Sequence, residues 1–239
     1  MNFRKERVIV LFAALAVAGC SGPTASIVLR RLHLTSQRVY YVQAEQFKTV
    51  EFAPPPAPDS DAQKADLAAV LDWQARRTAA DCARANVTAV ADYEYFLGAK
   101  SPFPSPLPAE VKKTFDRLGA DLDGAVTNMK ERYRRSRVYK TYPGRAEPCV
   151  KKSWGYSYPS GHTIFSRVFA NVLTDIIPAR RDEFFATADG IASDRLIGGV
   201  HYPTDLAAGK VFADRFHAEL LKSEAYLKDI EKLKACLVR

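Results

Sequence analysis

Two histidines lie in settings that suit phosphate chemistry, and the first is His162. It follows Pro159-Ser160-Gly161 and precedes a strongly apolar stretch of helical period, so the chain predicts a helix N-terminus at this turn. Helix N-termini present unpaired backbone N–H groups and partial positive charge, which together favour a phosphate. An ordinary N-cap serine followed by a solvent-facing histidine would give the same pattern.

The second histidine is His201, in the segment Arg195-Leu-Ile-Gly-Gly-Val-His201-Tyr-Pro-Thr-Asp205. Asp205 follows four residues later across a predicted helix start, so its carboxylate can reach one ring nitrogen. That contact would fix the tautomer and leave the other nitrogen free to attack. Gly198-Gly199 allows a turn that brings Arg195 towards His201. A helix-end histidine beside an unrelated aspartate is the alternative.

A run of basic residues supplies two candidate anion ligands, Lys130 and Arg137. They are seven residues apart, which is two helical turns, so they share one face if the helix persists. Two fixed cations suit a phosphate with several charged oxygens. A solvated charged helix face is the alternative for a run of this kind.

Taken together, Lys-x6-Arg, Pro-Ser-Gly-His and Arg-x5-His-x3-Asp resemble the signature of the type 2 phosphatidic acid phosphatase (PAP2) superfamily. This superfamily includes the bacterial class A non-specific acid phosphatases and the vanadium haloperoxidases. The resemblance is closest to the class A enzymes and covers roughly residues 50–225. It extends through Ala53 to Pro58, Ala99-Lys100-Ser101-Pro102, Tyr133 and Cys149.

The resemblance implies a role for each motif residue. His201 would attack phosphorus and form a phosphohistidine, and Asp205 would hold it in the attacking tautomer. His162 would protonate the leaving alcohol and then activate water. The implied phosphate-binding groups are cations and hydrogen-bond donors: Lys130, Arg137, Arg195, Ser160 and the backbone N–H of Gly161. Because the three cations can stabilise the transition state, neither a metal ion nor another cofactor is expected.

The chain departs from the family pattern at two positions next to motif arginines. Val138 stands where the family usually has proline, which should alter only the path of the chain. Asp194 stands where the family usually has serine. A carboxylate there could orient Arg195, or it could repel a phosphate dianion.

Three cysteines remain if Cys20 is modified, so an oxidising compartment permits one disulfide. The residues alone leave the pairing among Cys82, Cys149 and Cys236 open. Class A members tend to carry a cysteine in the run before the nucleophilic histidine, where this chain has Gly198-Gly199. The resemblance therefore gives Cys149 either Cys82 or Cys236 as its partner.

The elements that must position these residues have helical period, and no stretch alternates convincingly at period two. Ser60 with Gln63 predicts a capping box. Helices follow to about Gly98, from Pro108, from Ser160 to Pro178, over roughly 180–192, from Pro203, and through Leu227, Ile230 and Leu233. We expect an all-α, PAP2/haloperoxidase-like domain of about seven or eight helices over residues 61–239.

The N-terminus has the pattern of an export signal. A positive segment precedes the apolar run Val8 to Ala18, which is too short for a comfortable membrane span. Val17-Ala18-Gly19-Cys20 resembles a lipoprotein cleavage box, so we expect residues 1–19 to be removed and Cys20 to be lipidated. An ordinary secretory signal is the alternative. Residues 20–60 would then form a tether and a proline-rich strap.

These features predict a periplasmic acid phosphatase for phosphorylated small molecules, anchored by lipid to the outer membrane. The formal charge is +8, but its scattered cations lack the aromatic interleaving of a nucleic-acid platform. A lipid phosphate phosphatase, a vanadate-dependent haloperoxidase and a catalytically decayed envelope lipoprotein are the alternatives. The sequence does not indicate the oligomeric state, although a homo-oligomer is compatible with it. His33 and His217 are read as ordinary surface or packing residues.

Overall fold

The computed structural model describes residues 38–90, 92–98 and 101–238, and its regular elements are helices. Seven α-helices of nine residues or more, two shorter α-helices and two 3-10 turns lie in these ranges, with no strand among them. The predicted all-α fold is therefore confirmed. The helices are α1 (Asp61–Arg76), α2 (Ala79–Val87), α3 (Tyr93–Leu97), α4 (Ala109–Tyr133), α5 (Val138–Thr141), α6 (Gly161–Ile176), α7 (Arg181–Ile197), α8 (Pro203–Leu220) and α9 (Glu224–Ala235).

Helix α6 lies at the centre of the domain, as its wide apolar face predicts. It packs against α7 and α8 most extensively, and also against α3, α4 and α9. Ile164, Val168 and Val172 on this helix are fully buried. Phe169 makes edge contacts with the rings of Phe96 on α3 and Phe115 on α4, which extends the core across three helices.

A glycine brings the first turns of α6 and α8 together. A Cβ atom at Gly209 would lie 2.9 Å from Thr163 Cβ and 3.1 Å from the carbonyl oxygen of Ser160. Only a residue without a side chain permits this approach. The N-terminus of α6 therefore lies beside the N-terminus of α8, and the N–H of Ser160 donates to the carbonyl of Asp205 at 3.0 Å.

Lys130 and Arg137 do not share a helix face, so that prediction is wrong. Helix α4 ends at Tyr133 because Arg134 adopts a left-handed conformation, with φ of 46°. Residues 134–137 lie outside any helix, and Arg137, which is extended, is the N-cap position of the short helix α5. The turn at Arg134 lets the side chain of Arg135 enter the interior.

Three further helix predictions are correct only in part. Ser60 caps α1 by accepting from the N–H of Gln63, but the Gln63 side chain contacts Tyr142 and Arg135 instead of closing a capping box. Helix α7 continues five residues beyond the predicted end and so carries Arg195.

The last helix, α9, buries a different residue from the one expected at its start. Ile230 and Leu233 are buried as predicted, whereas Leu227 is half exposed. Tyr226 takes the inward position, because its hydroxyl donates to Asp175 at 2.6 Å and its ring packs on Tyr41.

The segment before α1 packs on the helices through three apolar side chains, Val42, Phe47 and Phe52. Asp121 on α4 holds it by accepting from the backbone N–H groups of residues 40–42. The predicted signal over residues 1–19, the lipidation site Cys20 and the tether up to residue 37 lie outside the described residues. Within the described part of the chain, no helix is both long enough and apolar enough to span a membrane.

Cys82 on α2 forms a disulfide with Cys149 in the loop before α6. Cys236 keeps a free, half-buried thiol. Of the two partners that the sequence leaves for Cys149, the structure therefore selects Cys82. The bond fixes α2 against the loop that also reaches Gly198, since the N–H of Cys149 donates to the carbonyl of Gly198.

We predict that replacing both disulfide cysteines, Cys82→Ser with Cys149→Ser, lowers the free energy of unfolding by about 2–4 kcal/mol. The bond closes a loop with a sequence separation of 67, so its loss frees the unfolded chain. Urea unfolding without reductant measures the change. Cys236→Ser is the matched control and should stay within about 1 kcal/mol of wild type. Equal stability of the double variant and the control would contradict the prediction.

Candidate active site

His201 and Asp205 form a fully buried pair at the start of α8. Gly199, with φ of 73°, turns the chain after α7, and Tyr202 is the N-cap position of α8. His201 Nδ1 lies 3.1 Å from Asp205 Oδ2, and His201 Nε2 lies 3.1 Å from a terminal nitrogen of Arg137. The four-residue spacing across the helix start thus produces the contact that the sequence predicts.

Both neighbours of His201 specify the same tautomer. The Asp205 carboxylate can only accept, so Nδ1 carries the proton and donates it. The Arg137 guanidinium can only donate, so Nε2 must offer its lone pair. Burial and the charge of Arg137 also lower the pKa of His201 well below its ordinary value, although Asp205 opposes the shift. The ring is therefore neutral, with a basic nitrogen at Nε2.

Four donors surround the Asp205 carboxylate. Arg135 donates to Oδ1 at 2.7 Å, while the hydroxyl of Ser157, the ring of His201 and the backbone N–H of Tyr202 reach Oδ2. Burial alone would raise the pKa of Asp205, but the hydrogen bonds from His201 and Ser157 and the charge of Arg135 lower it to about 2. Asp205 is therefore a carboxylate across the physiological range.

The loop of residues 151–159 connects the predicted cations to the site through its carbonyl oxygens. Lys130 Nζ donates to the carbonyls of Tyr156 and Pro159, at 2.7 and 2.9 Å. Arg137 donates to the carbonyls of Gly155 and Val200 as well as to His201. Burial and the charge of Arg137 lower the pKa of Lys130 to about 7, and Asp205 opposes the shift.

His162 lies in the first turn of α6, with Ser160 as its N-cap. Its Nε2 is 2.9 Å from the carbonyl oxygen of Ala89, so Nε2 carries a proton and Nδ1 has the lone pair in the neutral ring. Burial lowers the pKa of His162 to about 4, with the charge of Arg195 as the next cause; the hydrogen bond to Ala89 opposes the shift.

Arg195 lies at the end of α7 and is buried despite its charge. One terminal nitrogen donates to the carbonyl of Ala85 and, at 2.6 Å, to the hydroxyl of Thr88, both near the end of α2. Among the described residues, its Nε is a buried donor without a hydrogen-bond partner. Burial lowers the pKa of Arg195 to about 10, and the neighbouring Asp194 opposes that shift. A buried guanidinium with a spare donor is suited to an anion.

The three motifs converge on one region. Arg137 contacts His201 Nε2 directly, and the charges of Arg137 and Lys130 lower the pKa of both His162 and His201. A Cβ atom at Gly161 would be 3.8 Å from Lys130 Cε, which places that lysine beside the first turn of α6. The region thus combines cations, a helix N-terminus and two imidazoles.

Two residues of the site were not identified from the sequence. Arg135 was part of the charge run and looked like any solvated cation, yet it is buried between Asp205 and Asp66. Ser157 sits in a loop whose sequence carries no pattern. The groups that Arg135 and Ser157 contact are distant from them in the chain. The only local indication of a role in the site was that Arg135 lies two residues before Arg137.

Comparison with known proteins finds a family model that matches the part of the chain that carries this site. Residues 123–223 match the model of the PAP2 superfamily, and this range contains every charged and imidazole group described above except Asp66. Recognition from the three motifs is thereby confirmed.

Three relatives of this chain carry the name non-specific acid phosphatase. The protein of Salmonella typhimurium (strain LT2) is 26% identical over 245 aligned positions, which cover 96% of this chain and 92% of the relative. The Salmonella typhi protein is 25% identical with the same coverage. The Providencia stuartii protein is 30% identical over 129 residues, and this alignment spans 52% of each chain, about half the length of that relative.

Two solved structures also align with this chain. One is a transmembrane PAP2 type phosphatidylglycerolphosphate phosphatase from Bacillus subtilis, at 20% identity and a TM-score of 0.43, covering 76% of this chain and 90% of that one. The other is a holo-type bacterial vanadium-dependent chloroperoxidase, at 13% identity and a TM-score of 0.49, covering 82% and 54%.

We predict that Arg135→Gln lowers the free energy of unfolding at pH 7 by about 3–5 kcal/mol, because it leaves the buried carboxylates of Asp66 and Asp205 without their cation. Urea unfolding followed by circular dichroism measures this. The loss should shrink as the pH falls, because without the charge of Arg135 burial raises the pKa of Asp205 in the variant, so this carboxylate takes up a proton at a higher pH than in the wild type. Arg134→Gln, at the exposed neighbouring position, is the control and should change stability by less than about 1 kcal/mol. Equal effects of the two substitutions would contradict the role assigned to Arg135.

Proposed function

We propose that this protein is a metal-independent acid phosphatase that hydrolyses phosphate monoesters through a phosphohistidine at His201. The family and the names of the relatives support a phosphatase in general terms. The observation that carries the finer proposal is the state of His201: Nδ1 donates to Asp205 and Nε2 offers a lone pair beside Arg137.

In the first half-reaction, His201 Nε2 attacks phosphorus and the bond between phosphorus and the ester oxygen breaks. The Nδ1 proton stays on His201 and its hydrogen bond to Asp205 strengthens as the ring becomes positive. His162 supplies a proton from Nδ1 to the departing alcohol. That proton must be taken up beforehand, because the hydrogen bond to Ala89 already uses Nε2–H.

In the second half-reaction, neutral His162 removes a proton from water through Nδ1. The resulting hydroxide attacks the phosphohistidine, the phosphorus–nitrogen bond breaks, and His201 recovers its lone pair. Inorganic phosphate leaves with the oxygen of the water. The same histidine serves first as acid and then as base, so each cycle ends with both rings in their starting protonation states.

The charge of the phosphate oxygens would be balanced by three cations, Lys130, Arg137 and Arg195. Arg137 and Arg195 are buried, so their interactions with an oxyanion are weakly screened. The backbone N–H of Gly161 and the hydroxyl of Ser160 lie at the N-terminus of α6, where a phosphate is further favoured. This set supports catalysis without a metal ion, as the proposal requires.

We predict that the purified protein hydrolyses p-nitrophenyl phosphate in the presence of EDTA, and that His201→Ala lowers kcat by at least about 1000-fold. The substitution removes the nucleophile, while helical circular dichroism should stay unchanged. A matched control is His217→Ala, because His217 also pairs with a carboxylate, Asp175, at 2.7 Å. Asp175 is thirteen residues from His162 along α6, or about 20 Å. The control should keep most of the activity.

Three outcomes of that experiment would count against the proposal. Inactivity of the wild type from pH 4 to 7 would remove the phosphatase itself. Activity that appears only after a divalent metal is added would remove the metal-independent mechanism. Vanadate should inhibit as a phosphate mimic, and halide oxidation by peroxide on adding vanadate would instead support a haloperoxidase.

The pH dependence of kcat/KM should favour acidic conditions. His162 must be protonated to act as the acid, and its pKa of about 4 makes that fraction fall as pH rises. The charge of Lys130 is lost in turn as pH rises through about 7. On the acidic side, His201 stays neutral because its pKa is depressed, and Asp205 stays ionised down to about pH 2.

We therefore predict that kcat/KM falls about tenfold per pH unit above pH 4 and more steeply above pH 7, once ionisation of the substrate phosphate is corrected for. Stopped assays from pH 3 to 9 measure this profile. His162→Asn should lower the rate and abolish the limb near pH 4, since it removes the titrating acid. A wild-type kcat/KM that rises steadily from pH 5 to 8 would contradict the roles assigned to His162 and Lys130.

A further inference from the structure

Asp194, the residue that departs from the family pattern, is buried beside the site but is not left as a free negative charge. Its Oδ1 accepts from Arg84 Nε at 2.9 Å, and its Oδ2 accepts from the hydroxyl of Thr88 at 3.0 Å. Both partners belong to α2 or the turn that follows it. The carboxylate of Asp194 is thus directed towards α2, and a half-exposed arginine balances its charge.

The hydroxyl of Thr88 connects Asp194 to Arg195. Arg195 donates to Thr88 Oγ1 at 2.6 Å. A guanidinium has only donors, so the single hydroxyl proton of Thr88 is left for an acceptor. The carbonyl oxygens of Arg84 and Ala85 lie 3.3 and 3.2 Å away, whereas the Asp194 carboxylate is nearer, at 3.0 Å, and carries a charge that favours the bond. With the proton on this nearest acceptor, the hydrogen bonds run from Arg195 through Thr88 to Asp194, which also accepts from Arg84. Opposite charges alternate along these bonds, and each bond strengthens the next.

This network fixes one edge of the Arg195 guanidinium and leaves a donor for a ligand. The nitrogen that contacts Thr88 also donates to the carbonyl of Ala85, so α2 holds it at two points. Nε of the same guanidinium is buried without a partner among the described residues. A long cationic side chain has many rotamers, and fastening one of its ends selects among them.

We propose that Asp194 and Thr88 are positioning residues that hold Arg195 in the orientation in which it binds phosphate oxygens. This inference rests on the function proposed above, since it assigns Arg195 to the phosphate. Of the two effects considered for a carboxylate at position 194, it selects orientation over repulsion. A serine at this position could not form the ion pair with Arg84, so this chain anchors Arg195 through charge.

The test removes the Thr88 hydroxyl at constant shape. Thr88→Val should raise both KM for p-nitrophenyl phosphate and the Kd for inorganic phosphate, measured by calorimetry, by about tenfold, because a hydrogen bond to a charged group is lost. Thr88→Ser keeps the hydroxyl and should restore both values to within about threefold. The matched control is Thr187→Val on α7, whose hydroxyl donates to the carbonyl of Glu183 in its own helix. Thermal unfolding checks that each variant is folded.

A double-mutant cycle separates positioning from a merely structural role. In an Arg195→Ala background, Thr88→Val should leave the Kd for phosphate unchanged, because the group it positions is gone. An equal tenfold loss in both backgrounds would overturn the proposal. So would Thr88→Val indistinguishable from Thr187→Val in a protein whose wild type is active. A wild type that neither hydrolyses the ester nor binds phosphate would refute the proposed function instead.

Substitutions of Asp194 distinguish orientation from repulsion. Asp194→Asn and Asp194→Ser should each weaken phosphate binding about three- to tenfold, since the pair with Arg84 and the charged acceptor for Thr88 are lost. Tighter phosphate binding by Asp194→Ser, the residue that the family usually has, would mean that the carboxylate repels the ligand. That result would overturn the inference and leave the phosphatase proposal standing.

Discussion

The buried carboxylate of Asp205 is the group that the surrounding structure must accommodate. Removing a carboxylate from water costs several kcal/mol unless charge and hydrogen bonds replace its hydration. Here Arg135 supplies the charge, while Ser157, His201 and the N–H of Tyr202 complete the donors. Arg135 in turn needs Asp66 on α1, and the loop of residues 151–159 must bring Ser157 into place. One ionised group thereby connects α1, α8 and two loops.

This charge network lies where the N-termini of α6 and α8 meet. Helix α6 begins with Ser160 and Gly161, and α8 begins just after His201. Both first turns direct partial positive charge towards the same region, which raises the potential felt by an anion. The approach depends on Gly209, where a Cβ atom would lie only 2.9 Å from Thr163 Cβ. A packing constraint between two helices therefore fixes the electrostatics of the site.

The parts of the site that the sequence predicts are those defined by local spacing. His201 and Asp205 are four residues apart, and Ser160 with His162 marks a helix start, so short-range geometry suffices. Lys130 and Arg137 show the limit of that reasoning, because a left-handed residue between them ends the helix and tertiary contacts place both side chains instead.

Long-range contacts explain what sequence patterns miss. Asp66 meets Arg135 from a distance of 69 residues, and Gly209 contacts Thr163 from another helix. Nothing near either residue in the chain signals such a partner. The disulfide is a similar case. Two cysteines were possible partners for Cys149, and only the packing of α2 against its loop selects Cys82. The helices themselves were predictable from local sequence patterns. Which helices and loops pack against one another can be seen only in the folded structure.

The hydrogen bond from Arg137 to His201 Nε2 also gives the imidazole chemical selectivity. The lone pair that would attack phosphorus is engaged by a cation, and a neutral electrophile has no means of drawing that cation away. A phosphate ester does, because its oxygens compete for the same guanidinium. Binding of the anion by Arg137 and release of the Nε2 lone pair would then occur together. In the proposed mechanism, the Nε2 lone pair would therefore become available for attack only after a negatively charged group has drawn Arg137 away from it.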